Sequence, residues 1–127
     1  MFILKSIYCR AYQLTFRAIL PLLPYREPEI VDSCSELCSV FKKEDVKSVL
    51  IVTGKGSANN RRIAPVEDAL NKSGVSYAIF SGVQPNPTIE NVEEGVKLYR
   101  ENSCDCIIAF GGGSSIDCAK AIGARIA

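Results

Sequence analysis

Asp105-Cys-Ile-Ile-Ala-Phe-Gly-Gly-Gly-Ser-Ser-Ile-Asp-Cys-Ala-Lys120 is the stretch that decides how this chain folds. Cys106 to Phe110 is a short apolar run of the length and composition typical of a β-strand. Three glycines follow, which let the backbone turn tightly and let a ligand come close to it. Ser114 is the expected N-cap of the next helix, with Asp117 three residues later as a variant of the capping box.

A strand, a glycine turn and a helix N-terminus together favour anion binding, because free N–H groups and the positive end of the helix dipole point at the turn. We therefore predict that the turn holds the pyrophosphate of a dinucleotide. The expected donors are the backbone and hydroxyl groups of Gly111, Gly112, Gly113, Ser114 and Ser115. The alternative is a plain glycine turn with a capping serine.

Two charged residues follow on the same helix. Asp117 either caps the helix or contacts the ligand, and Lys120 either neutralises phosphate or pairs with Asp117 at i, i+3.

The chain from Ser48 onward alternates between strand and helix patterns. The predicted strands are Ser48–Thr53, Ser76–Ser81 and the run that ends at Phe110. A helix follows each strand, and Thr88 is the expected cap of the second helix. This alternation predicts an α/β fold: a Rossmann-like parallel sheet with flanking helices.

Ligands of such sheets bind beyond the carboxyl ends of the strands. Three segments are expected at that edge, residues 54–60, 81–88 and 111–117. The stretch from Gly54 through Ser57 to Arg62, which includes the first of these segments, carries three cations without an acid. Basic residues there suit the 2′-phosphate of NADP, whereas an acid would suit the ribose of NAD, so the sequence favours NADP. The alternative is a solvated surface loop.

The beginning of the chain has a different pattern. Residues 3 to 23 predict an apolar-rich helix that ends at Pro21 and Pro24. It is either a basic amphipathic helix for an anionic membrane or a partner, or a helix packed on its own protein. An extended connector is expected over Pro24–Pro28, and a helix over Glu29–Lys43. We therefore place the boundary between an N-terminal helix with connector, residues 1–28, and a nucleotide-binding domain, residues 29–127.

Composition excludes several classes of function. A net charge of +1 gives no overall bias toward nucleic acid, and the absence of histidine excludes a Ser-His-Asp triad. Neither a secretory signal nor a membrane span is evident, so we expect six free cysteines and a cytoplasmic location. Cys34 and Cys38 are better explained as packed small residues than as metal ligands.

Three ordered motifs carry a family resemblance. Pro85-Asn86-Pro87-Thr88, Val92-Glu93-Glu94-Gly95 and Phe110–Lys120 resemble the N-terminal half of the iron-containing (group III) alcohol dehydrogenases. The resemblance extends over roughly residues 24 to 127. Glycerol dehydrogenase and dehydroquinate synthase, which have related folds, are similar too, so a dehydroquinate synthase-like domain is implied.

The resemblance implies hydride transfer between NADP(H) or NAD(H) and an alcohol or aldehyde. It implies cofactor contacts at Asn86, Gly113, Ser114 and Asp117, and family members with a Gly-x-Gly-Ser pattern like Gly54–Ser57 tend to use NADP. Iron or zinc is expected only in a helical C-terminal domain that this chain lacks, so we expect a fragment that is inactive alone. Two further alternatives are left open. The protein either does or does not form a homodimer, and it is either part of an enzyme or a free-standing nucleotide- or anion-binding module without catalysis.

Overall fold

The computed structural model describes residues 2–24 and 28–127, with side chains described from Lys5 onward. The described residues fall into two compact units, with the division between Ile30 and Val31. The first unit contains α1 (Phe2–Ile19) and a 3₁₀ turn (Leu20–Leu22), which confirms the predicted helix. Of the predicted extended connector, Tyr25, Arg26 and Glu27 lie outside the described residues.

The second unit is built on a three-stranded parallel sheet of order β2-β1-β3. The strands are β1 (Ser48–Thr53), β2 (Ser76–Phe80) and β3 (Cys106–Phe110). All six residues of the central strand β1 are buried. The continuous apolar run of this strand is therefore explained by helices on both faces of the sheet, as predicted.

Helices cover the two faces of the sheet in pairs. One face packs on α2 (Leu37–Lys43) and α4 (Ala64–Ser73), and its core contains Ile51, Phe41 and Leu70. The other face packs on α5 (Ile89–Glu101) and α6 (Gly113–Ile126), and its core contains Val52 and Ile122. Alternate residues of β1 point to opposite faces, so one strand supplies both cores.

The helices α5 and α6 approach closely at Gly95. A Cβ atom at this position would lie 2.3 Å from Cδ1 of Ile122, which is fully buried. Glycine therefore permits this close approach, because a side chain at position 95 would force Ile122 to shift within the core. At the surface the same pair is joined by Arg125, whose Nε donates to Glu93 Oε1 at 2.8 Å.

The amino ends of β1 and β3 are joined by Asp105. Its carboxylate accepts from Lys47 N at 2.9 Å and from Ser48 N at 3.2 Å. The backbone N–H of Asp105 in turn donates to Ser48 O at 2.9 Å. These bonds set the register of the two strands at the edge of the sheet that lies opposite the predicted site.

One helix boundary and one additional helix differ from the sequence-based predictions. The helix expected over Glu29–Lys43 begins only at Leu37, after a 3₁₀ turn at Cys34–Glu36. Ser33 stops it from starting earlier, because its backbone is extended and its hydroxyl bonds to the side chains of Ser35 and Glu36. Conversely, the segment expected as a loop after β1 contains a short helix, α3 (Lys55–Asn59).

Candidate functional site: the glycine turn at the carboxyl edge of the sheet

The strand order puts a topological switch point between β1 and β3. The chain leaves β1 toward β2 on one side and returns to β3 on the other side. Thr53 pairs with Phe110 at the carboxyl edge, so Gly54 and Gly111 are the first residues beyond two adjacent strands. Crevices at such switch points are the usual ligand sites of open parallel sheets.

The turn after β3 brings two serines from different helices together. Gly111 has a φ of +131°, a conformation that favours glycine. A Cβ atom built on Gly111 would lie 3.0 Å from Ser115 Oγ and 3.9 Å from Ser57 Oγ. The hydroxyls of α3 and α6 therefore converge on the glycine turn.

The next two glycines leave their backbone accessible. Gly112 and Gly113 are exposed, and a Cβ atom on either would meet no other atom within 4 Å. The fold itself therefore does not exclude a side chain at these positions. Open backbone at a helix N-terminus is the arrangement in which N–H groups can donate to an anion.

The predicted capping role of Ser114 is wrong. The N-cap of α6 is Gly112, with an extended backbone, and the helix begins at Gly113. The carbonyl of Gly112 already accepts from the N–H groups of Ser115 and Ile116, at 3.1 and 3.3 Å. Ser114 is consequently the second helical residue, and Asp117 lies too far along the helix to complete a capping box.

The remaining predicted residues of α6 lie further from the turn. Asp117 and Lys120 are both exposed, and no ion pair joins them among the residues described. Ser114 is partly buried and Ser115 is buried. Ligand contacts of Ser114, Asp117 and Lys120 stay predictions.

The segment after β1 presents positive charge. Gly54 is extended, with φ −90° and ψ 157°, and a Cβ atom there would meet nothing within 4 Å. Lys55, Arg61 and Arg62 are exposed on and after α3. The described segment from Gly54 to Arg62 carries no acid.

The segment after β2 is held by a residue that the sequence analysis missed. Asn91 is buried, and its Nδ2 donates to Gly82 O at 2.8 Å while its Oδ1 accepts from Gln84 N at 3.2 Å. Its backbone N–H donates to Thr88 Oγ1 at 3.3 Å, which confirms the predicted cap. A polar residue within the apolar stripe of α5 was the available signal.

Asn91 thereby fixes both ends of the loop that contains Asn86. Asn86 is exposed and has a φ of +57°, which asparagine tolerates better than most residues. Its contact with a ligand is untested and stays a prediction.

One buried hydroxyl at this edge lacks a partner. Thr53 Oγ1, on the last residue of β1, is the only buried side-chain nitrogen or oxygen without a hydrogen bond among the described residues. An unsatisfied buried hydroxyl is costly, and few such groups occur in native proteins.

The described residues do not fit an iron site. They contain no group of three or more histidine, cysteine, aspartate or glutamate side chains that could hold a metal ion. We therefore assign no chemical step of this chain to a metal.

Comparison with known proteins gives a consistent family. A family model described as iron-containing alcohol dehydrogenase matches residues 30–127. Among curated proteins, the chain is 46% identical over 94 residues to NADH-dependent butanol dehydrogenase B of Clostridium acetobutylicum, covering 73% of this chain and 24% of that protein. It is 34% identical over 110 residues to 1,3-propanediol dehydrogenase of Klebsiella pneumoniae, covering 85% of this chain and 28% of that protein.

Solved structures show the same similarity. A crystal structure of 1,3-propanediol oxidoreductase matches with a TM-score of 0.67 and 37% identity, covering 71% of this chain and 24% of that one. An iron-containing alcohol dehydrogenase from Thermococcus thioreducens matches with a TM-score of 0.66 and 30% identity, covering 79% of this chain and 26% of that one. The chain spans about a quarter of the length of the relatives it matches.

Proposed function

Because this chain belongs to the iron-containing alcohol dehydrogenase family, we propose that its second unit is the nicotinamide dinucleotide-binding part of an alcohol dehydrogenase. The dinucleotide binds across the carboxyl ends of β1 and β3, and its pyrophosphate lies against the turn from Gly111 to Ser115. When bound, the nicotinamide accepts a hydride from an alcohol or donates one to an aldehyde.

The observation that carries this proposal is the convergence of Ser57 and Ser115 on Gly111 at the switch point. Two hydroxyls from separate helices, beside open backbone at the start of α6, provide a compact set of donors for phosphate oxygens. The positive end of the α6 dipole adds to this attraction.

The surroundings also fit a dinucleotide. Gly54, Gly56, Gly112 and Gly113 would each accept a Cβ atom without contact, so the space beside their backbone is open. The orphaned Thr53 hydroxyl lies at the same edge. Asn86, Asp117 and Lys120 are exposed beside or beyond these segments and complete the proposed cofactor-binding set.

Within this proposal the preferred cofactor is NADP. Two relatives are named NADH-dependent butanol dehydrogenases, so family membership does not by itself select the 2′-phosphate form. The preference rests on Gly54 in place of an acid and on three exposed cations nearby, Lys55, Arg61 and Arg62.

The substrate chemistry is an extension of the same proposal. The relatives are named for butanol, 1,3-propanediol and lactaldehyde, all small alcohols or aldehydes. We propose a small alcohol or aldehyde as substrate of the complete enzyme, with catalysis requiring parts of the relatives that this chain does not match. The chain alone then binds the dinucleotide without turning over.

The test is titration calorimetry of the chain with NADPH and NADH, on the wild type and two glycine variants. Gly112→Ala places a methyl group in the proposed phosphate site, and its extended backbone suits alanine. We expect this variant to fold normally and to bind NADPH at least about tenfold more weakly, a loss of about 1.4 kcal/mol.

Gly123→Ala is the matched control. It makes the same chemical change later in α6, where the nearest atom to the new methyl group, Ile107 Cδ1, would be 3.9 Å away. This variant should bind like the wild type. Equal NADPH affinity for the wild type and Gly112→Ala would contradict the proposed phosphate site.

A further inference from the structure

The helix α1 has an exposed apolar face that the dinucleotide site does not explain. Every described side chain from Lys5 to Pro24 is exposed. Large apolar groups are among them: Ile7 is 62% exposed, Leu14 67% and Tyr8 73%. This helix precedes the residues that the family model matches, which begin at residue 30.

The most continuous apolar stripe of α1 runs along one side of the helix. Ile7, Ala11, Leu14 and Ala18 recur at helical spacing and form a continuous stripe. Tyr8, Thr15 and Ile19 extend the same face by one row. Ser6 and Gln13 share a polar sector with Arg10 and Arg17, so the helix is amphipathic. Phe16, which is 50% exposed, lies opposite the stripe and widens the apolar surface.

The charges of α1 are all positive. Lys5, Arg10 and Arg17 are its only charged residues, and the first acid of the chain is Glu27. Arg10 and Arg17 flank the apolar stripe and, together with Gln13 and Leu14, line a shallow depression. Two guanidinium groups seven residues apart beside an apolar face suit anionic headgroups above acyl chains.

The helix is not built to cross a bilayer. No helix among the described residues is long and apolar enough to span a membrane. In α1 the cations are spread along the helix at residues 5, 10 and 17, so a spanning orientation would bury at least one of them. A helix lying in the plane of the interface keeps all three in contact with headgroups.

We propose that α1 is an interfacial helix that binds the surface of a membrane containing anionic lipid. Ile7, Leu14 and the neighbouring apolar side chains enter the acyl boundary, while Arg10, Arg17 and Lys5 contact phosphate groups of the lipids. Tyr8 and Tyr12 lie at the margin of the apolar face, where amphipathic rings are favoured at the headgroup level. Charge complementarity selects an anionic membrane over a second copy of α1, which would bring like charges together.

The test is co-sedimentation of the full chain with vesicles of phosphatidylcholine alone and with vesicles that also contain phosphatidylglycerol. We expect binding to the anionic vesicles that weakens with salt, and at least about tenfold weaker binding to the neutral ones. The double variant Arg10→Glu/Arg17→Glu should lose more than about tenfold in affinity for anionic vesicles. Ile7→Gln/Leu14→Gln should lose binding while it keeps all charges.

The matched control is Lys72→Glu/Lys97→Glu, which makes the same change in net charge on exposed residues of the second unit. It should bind vesicles like the wild type. Equal loss in this control, or equal binding to neutral vesicles, would overturn the proposal. Failure to bind anionic vesicles, with self-association that Ile7→Gln/Leu14→Gln abolishes, would also overturn it and would identify a second copy as the occupant.

Discussion

At the scale of single residues, the three consecutive glycines have different physical roles. Gly111 is required by the fold, because its φ of +131° disfavours a side chain and Ser115 Oγ lies close. Gly112 and Gly113 meet no such constraint. The sequence predicted a glycine turn but could not separate these roles, since the glycine run is the same whether backbone conformation or ligand access requires it.

The assignment of Ser114 as N-cap failed for a related reason. Serine is favoured over glycine at N-caps, so the sequence pointed to it. Glycine also caps helices without a side-chain bond, and Gly112 does so here. The sequence predicted that the segments containing Ser57 and Ser115 meet at one edge, but not that the two hydroxyls converge, because their proximity depends on how α3 and α6 leave adjacent strands.

Gly54→Asp is the residue-scale prediction for cofactor choice. The extended backbone and open surroundings of Gly54 accept aspartate, which is also a favourable N-cap for α3. A carboxylate there repels a 2′-phosphate and accepts hydrogen bonds from ribose hydroxyls. We expect NADPH affinity to fall at least about tenfold and NADH affinity to rise, measured by calorimetry. Unchanged affinity for both cofactors would refute the assigned orientation of the dinucleotide.

At the scale of elements, close packing of α5 on α6 positions the glycine turn. The helix α6 begins in that turn and ends beside α5, with Gly95 and Ile122 at the point of closest approach. The sequence predicted α5 and its cap correctly because its apolar stripe is regular. It could not show why Gly95 interrupts a helix, since that requirement comes from another element.

Gly95→Ala tests this packing. The new methyl group would overlap Ile122 Cδ1, so we expect a net loss of about 1–2 kcal/mol despite the better helix propensity of alanine. Ile122→Val removes the overlapping Cδ1 atom. In a double-mutant cycle by urea unfolding, the two changes should therefore be less destabilising together than the sum of the single changes. Strict additivity would show that the two helices do not meet there.

Asn91→Asp tests how the loop after β2 is held. The substitution keeps an acceptor for Gln84 N but replaces the donor to Gly82 O with a second oxygen. We expect a loss of about 1–3 kcal/mol near neutral pH, measured by chemical unfolding.

The dependence of Asn91→Asp on pH gives a control within the same variant. A protonated aspartate can donate to Gly82 O, and burial raises the pKa of such a carboxyl group. The stability lost near neutral pH should therefore be partly regained as the pH falls below about 5. A loss independent of pH would argue against the bond to Gly82.

At the scale of the whole molecule, the strand–helix alternation was enough to predict a parallel α/β fold. The unbroken apolar run of β1 predicts a central strand, and both faces of β1 are indeed covered. The order of the outer strands and the assignment of helices to faces were beyond the sequence. They depend on which side of β1 each crossover takes, and no local residue pattern encodes that choice.

Buried thiols make the stability of the second unit depend on pH. Burial raises the pKa of Cys104, Cys106 and Cys118, and it also raises the pKa of Tyr99. A group whose pKa is higher in the folded state than in the unfolded state stabilises the fold fully below its unfolded pKa, which is 9.0 for these cysteines. This stabilisation is lost as the pH rises above that value. We expect the free energy of unfolding to fall above about pH 9.

Cys118→Ala isolates one of these groups. Without this thiol, the free energy of unfolding should fall less steeply with pH, by at most about 1.4 kcal/mol per pH unit. The measurement is urea unfolding between neutral and alkaline pH. Cys9→Ala is the control, because it makes the same substitution at a cysteine that is exposed on α1. A slope that Cys118→Ala does not alter would show that this thiol ionises equally in both states.

The extended, unobstructed backbone at Gly54 has a consequence for how such enzymes diverge. Codons for glycine and aspartate differ by a single base, and the architecture tolerates either residue without repacking. If the dinucleotide binds as we propose, a single substitution at this position is therefore expected to change which coenzyme is preferred, with no compensating change elsewhere in the chain.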